Sequence, residues 1–150
     1  RLPFVSGYCT RKVYPFVPIP AKFKEMGRYE GQDIHVYDPI TNWPVGSGLQ
    51  QCDGVGMAAV CIRRDVLEAM QPPYFAMEGG GGEDYYFCRK LRDLRLPDWK
   101  RGVPVVIDTN TPIGHVGSLV AYPEHWFKSK ETWMADTDRT EIDLITEAAD

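Results

Sequence analysis

The chain has no C-x-x-C pair, although it carries four cysteines. Cys9, Cys52, Cys61 and Cys88 are widely scattered, and ligands for a zinc ribbon would have to sit in close pairs. Cys61 and Cys88 lie in apolar patterns and are expected to be buried thiols, which favours a reducing, cytoplasmic setting over a disulfide framework. A surplus of positive charge is also missing. Lysine and arginine number 17 against 21 acids, a net charge of -4. A nucleic-acid partner therefore has no support from composition. No apolar run approaches the ~20 residues of a membrane-spanning helix, so no membrane span is expected. No signal-peptide pattern opens the sequence, and no internal repeat occurs.

With 150 residues, the chain is long enough for one domain with a buried core. "PFVSGYCT" (3–10) reads as a strand rich in β-formers, with Phe4 and Val5 as core. "YPFVPIP" (14–20) must be extended, because Pro15, Pro18 and Pro20 exclude a helix and a central strand. "DIHVYD" (33–38) alternates as a half-buried strand does. "PITNWPVGSG" (39–48) is a loop by its Pro, Asn and Gly content. The uncharged run 57–62 predicts a buried strand or a short buried helix. Asp65 is placed to cap the short helix that follows, whose apolar stripe is Val66, Leu67 and Met70, and Pro72 and Pro73 end it.

Next comes "EGGGGEDYYFCRKL" (78–91). Tyr86, Phe87, Leu91 and Leu94 recur at helical spacing, with Tyr85 off the stripe. Glu83 and Asp84 open this helix, where its dipole favours negative charge. Four successive glycines, Gly79 to Gly82, either allow close approach of a ligand or form a loose loop. "VPVVID" (103–108) predicts a buried strand, and "TPIGHVGS" (111–118) a turn carrying His115. From residue 130 onward the sequence becomes acidic, with a weak amphipathic pattern. The order of elements predicts an α/β layer protein.

Each candidate site also has a plainer reading. Glu83 and Asp84 are either a solvated helix start or, beside the glycines, a carboxylate placed to deprotonate a bound hydroxyl. His115, between Gly114 and Gly117 at a strand exit, has the placement of a site residue in an open α/β sheet. A neutral imidazole there can ligate a divalent metal, although a lone histidine is more often structural. "DGVGMAA" (53–59) lacks the flanking strand and long helix of a dinucleotide fingerprint, so a Rossmann reading is rejected. Gly54 and Gly56 are instead expected to let a ligand lie against the backbone. "DTD" (136–138), in the acidic tail, is read as a chance match to a metal-nucleotide motif. A glycosidase pair is set aside, because adjacent residues on one helical turn cannot flank a bond across ~5 to 9.5 Å.

Taken together, "DGVGMAAVCIRRDVLEAM", "PYFAMEGGGGEDYYFCRKL" and "VPVVIDTNTPIGHVG" resemble the second half of an inverting glycosyltransferase domain of the GT-A type, family 2-like branch. Similar strings occur in phage and bacterial glycosyltransferases. The resemblance spans residues 3 to about 127. It implies a mixed sheet flanked by helices, with residues 1–129 as the acceptor and metal half and residues 130–150 as a peripheral acidic tail. It further implies that a nucleotide-binding half with a D-x-D motif lies upstream, so that this chain alone is expected to be inactive. The implied reaction transfers a sugar from a nucleotide-sugar donor to a hydroxyl acceptor, a carbohydrate or other alcohol, with Mn2+ or Mg2+. The implied roles are Asp84 as base, with Glu83 holding the acceptor or exchanging roles with it, and His115 as metal ligand. Gly54, Gly56, Gly81 and Gly82 would lie along the sugar, and Trp43 would stack on a ring or pack locally. The alternative is a non-catalytic carbohydrate-binding or assembly module derived from such a domain.

Overall fold

The computed structural model describes residues 1–11, 17–77, 79, 82–116, 120, 121 and 123. The expected acidic tail, 130–150, lies outside the described residues. The elements run β1 (Phe4–Cys9), β2 (Ala21–Tyr29), β3 (Gln32–Pro39), β4 (Leu49–Cys52), β5 (Val60–Ile62), α1 (Arg64–Ala69), α2 (Gly82–Asp93), β6 (Val105–Ile113), β7 (His115–Val116) and β8 (Val120–Ala121). Among the described residues no helix is long and apolar enough to cross a membrane.

The central sheet has the order β4-β6-β1-β5. It is mixed: β1 and β6 run parallel, whereas β4 is antiparallel to β6 and β5 is antiparallel to β1. The expectation that 4–9 and 103–108 form strands of one sheet therefore holds, with the second strand beginning at Val105. The two inner strands carry most of the sheet's buried residues. Phe4, Tyr8, Val105 and Ile107 are fully or almost fully buried. A parallel pair needs a crossover connection, and α2 lies on the stretch of chain that supplies it. It packs inward through Phe87, Cys88 and Leu91, and the Phe87 ring lies 6.3 Å from that of Phe4. The core closes with Val55, Val66, Met70 and Val103.

A separate antiparallel hairpin, β2–β3, stands off the sheet. Glu30 and Gly31 both have positive φ, 49° and 82°. That is the backbone twist a two-residue hairpin turn needs, and glycine adopts it without steric cost. The base of the hairpin is tied to the chain around Gly54: Ala21 N–H donates to Gly54 O at 2.9 Å, and Asp53 N–H to Ala21 O at 2.9 Å. Farther out, His35 N–H donates to Gly79 O at 2.7 Å, so the hairpin is also tied to Gly79.

Several local expectations are corrected. Strands β2 and β4 fall where none was predicted. β2 is mostly exposed, so pairing with β3 holds it and not burial. β6 continues through 109–113, into the segment read as a turn, because its outer half still pairs with β1 at Tyr8 and Cys9. Arg63, not Asp65, is the N-cap of α1, and no side chain caps that helix. Asp65 instead pairs with Arg63 at 2.5 Å, and Arg63 also reaches Asp98 at 2.7 Å. Cys61 is exposed, because β5 is a short edge strand, whereas Cys9, Cys52 and Cys88 are buried.

Candidate functional site

Asp84 lies in the first turn of α2. The helix can start there because Gly82 takes φ +76° with open space where a Cβ would be. Met57 N–H donates to Asp84 Oδ2 at 3.2 Å, which ties the carboxylate to the loop before β5. Burial raises the Asp84 pKa above the usual aspartate range. The Met57 N–H opposes that shift, and the neighbouring Glu83 charge adds to it. Glu83 itself is exposed.

The carboxylate opens on a cleft of about 380 Å3, walled by Tyr85 of α2, by His35 and Tyr37 of β3, and by Arg11 and Ile19 from the segments beside β1. The Tyr37 and Tyr85 rings meet edge to face at 4.7 Å. Phe23 continues the aromatic surface, 5.6 Å from His35 and 5.9 Å from Tyr37. Tyr85 Oη–H donates to Ile19 O at 2.5 Å, which locks the segment before the hairpin to α2. His35 Nδ1 lies 3.0 Å from Gly79 O. A carbonyl accepts, so Nδ1 is the donor in this contact. One strip of protein thus carries a carboxylate, an imidazole, a guanidinium and two phenol rings.

The other predicted residues have different surroundings. A Cβ at Gly54 would stand 3.1 Å from the Tyr85 ring, so that glycine makes room for a tyrosine of the cleft wall. At Gly56 the space is taken by Cys9 Sγ and Ile19, each 3.2 Å from a Cβ. Trp43 packs, partly buried, against the core, and its carbonyl accepts from Tyr8 Oη–H at 2.8 Å. Gly81 lies outside the described residues, as does the His115 side chain; the backbone of His115 pairs with Ala121 in a two-residue ladder. The divalent metal implied by the family resemblance finds no ligand set here: among the described residues no three His, Cys, Asp or Glu side chains come together. No chemical step is assigned to it.

Arg11, His35 and Tyr37 were not singled out from the sequence. For two of them a signal existed. In D-I-H-V-Y-D the period of two puts His35 and Tyr37 on one face and Ile34 and Val36 on the other. Arg11 had no comparable signal. Comparison of the chain with protein-family models, with curated proteins and with solved structures returns no match.

Proposed function

We propose that this chain carries the acceptor side of an inverting glycosyltransferase, with Asp84 as the general base. The observation that carries the reading is the half-buried Asp84 carboxylate, of raised basicity, at the wall of a cleft lined by Tyr37, Tyr85 and His35. A base is most effective when its pKa is drawn toward the working pH, and partial burial moves a carboxylate in that direction. Sugars present flat C–H faces and a rim of hydroxyls, which suits a site that combines aromatic rings with a carboxylate and an imidazole.

In the proposed reaction Asp84 removes the proton from an acceptor hydroxyl. The oxygen forms a bond to the anomeric carbon of a nucleotide sugar as the bond to the diphosphate breaks, and the configuration inverts. The leaving diphosphate carries the electron pair away. Glu83, exposed beside Asp84 but not among the residues that wall the cleft, would hold acceptor hydroxyls that project beyond it.

The test is sugar transfer by the full-length protein at saturating donor. Asp84→Asn keeps the shape and an acceptor for the Met57 N–H but removes the base. It is expected to lower turnover by ~100-fold or more. The wild-type rate should rise with pH through the titration of Asp84, a limb the variant lacks. Near-normal turnover in Asp84→Asn would overturn the assignment. Sugar binding without transfer in the wild type would favour a carbohydrate-binding module.

A further inference from the structure

A second cleft, of about 520 Å3, lies at the other end of α2, between the end of β4 and the loop 98–105. Its volume is within the range of small-molecule sites. Arg92, Lys100 and Arg101 line it, against two acids, Asp53 and Asp98. Both acids are already engaged. Asp98 is held by Arg63 from outside the cleft, with contacts of 2.7 and 3.3 Å. Asp53 accepts from Phe23 N–H at 3.0 Å and is shared between Lys22 at 4.0 Å and Arg92 at 3.4 Å.

Lys100 and Arg101 are left in surplus. Among the described residues neither Lys100 nor Arg101 has an ion-pair partner, and the buried Nε of Arg92 has no hydrogen-bond partner. A helix C-terminus would ordinarily repel an anion. Here two of its carbonyls are already engaged: Arg92 O accepts from Arg95 at 2.9 Å, and Leu91 O accepts from Val103 N–H at 3.0 Å.

The loop that presents Lys100 and Arg101 is tightly held. Leu96 and Trp99 exchange backbone hydrogen bonds of 3.3 and 3.0 Å. Trp99 packs against the core. Gly102 has φ +104°, and a Cβ there would stand 2.0 Å from Arg92 O. Two exposed cations on a fixed turn, at a cleft that Arg92 also lines, make a preorganised anion site.

We infer that this cleft is a second binding site, for a ligand bearing a phosphate group, with Arg92, Lys100 and Arg101 as its contacts. Three cations around one cavity match a compact dianion with several acceptor oxygens, and arginine supplies paired donors for them. The site is separate from the Asp84 cleft: Asp84 and Arg92 are eight residues apart on one helix, ~12 Å along its axis. It does not depend on the glycosyltransferase reading.

Inorganic phosphate is the probe. It is titrated into the whole chain at constant ionic strength and followed by amide 1H–15N shifts. Saturable changes confined to residues 51–53, 92, 98–103 and 105 are expected. Lys100→Gln/Arg101→Gln, which changes two exposed side chains, should weaken the affinity at least tenfold. Asp84→Asn should leave it unchanged, which separates this site from the proposed catalytic one. Shifts that do not saturate, that chloride reproduces, or that survive the double substitution would overturn the inference. Co-sedimentation with phosphatidic-acid vesicles, lost in the same double variant, would assign the phosphate to a lipid headgroup. Phosphate binding without sedimentation would assign it to a soluble ligand.

Discussion

Tyr85 is the most informative residue to perturb, because three elements meet on it. Its ring covers Gly54, meets the Tyr37 ring edge to face at 4.7 Å, and carries a hydroxyl that donates to Ile19 O at 2.5 Å. Helical phase alone places Tyr85 off the core stripe, which would make Tyr85→Ala much less costly than Phe87→Ala. The structure predicts otherwise. Losing a buried aromatic ring costs ~3 to 5 kcal/mol, and Tyr85 is only partly buried, so a loss of ~2 to 4 kcal/mol is expected. Tyr85→Phe keeps the ring and removes one hydrogen bond, for ~0.5 to 1.5 kcal/mol. A double-mutant cycle with Tyr37→Ala should return a coupling of ~0.5 to 1.5 kcal/mol, the worth of an edge-to-face pair. Urea unfolding at constant slope measures all of these, with Phe87→Ala as the fully buried reference at ~3 to 5 kcal/mol. A Tyr85→Ala variant within ~0.5 kcal/mol of wild type, the range of an ordinary surface change, would refute the reasoning.

Asp84→Asn should raise stability as it lowers transfer. The folded-state pKa of Asp84 is raised, so ionisation costs stability once pH exceeds the unfolded carboxylate value. The gain of the variant should be present at neutral pH and vanish as pH falls below the carboxylate range. Equal urea midpoints at both pH values would contradict the raised pKa. Gly102→Ala should lose more than ~2 kcal/mol, because its positive φ is costly for alanine and the new Cβ meets the Arg92 carbonyl; an unchanged thermal midpoint would show that the loop yields freely. In the native protein a disulfide reagent should modify Cys61 quickly and the other three thiols only on unfolding. Burial closes off Cys9, Cys52 and Cys88 and raises their pKa values, to about 11 for Cys9 and about 12 for the other two. A second fast thiol would show that the core opens.

The inner strands and α2 were legible in the sequence, because each carries its burial as a local pattern. Val105 to Ile107 form an apolar run, and Phe87 and Leu91 fall one helical turn apart. The position of Asp84 at the helix start was legible for the same reason: glycine before acid before an apolar stripe is local chemistry. β2 was not legible, since Ala21–Tyr29 is mainly exposed and owes its extended form to hydrogen bonds with β3. Nor was β4, whose Leu49 is exposed and which is a strand because it pairs with β6.

The cleft belongs wholly to the tertiary structure. Arg11, His35, Tyr37 and Asp84 come from segments far apart in the chain, and what joins them is a hairpin fastened at Gly54 and Gly79. Gly54 shows how the two levels divide. Its place in D-G-V-G was visible as a small residue, but that its missing Cβ leaves room for Tyr85 required the packing of α2 against the loop. A residue's own pattern encodes whether it seeks water or core. Which distant side chain fills the space beside it is decided only when the chain closes on itself.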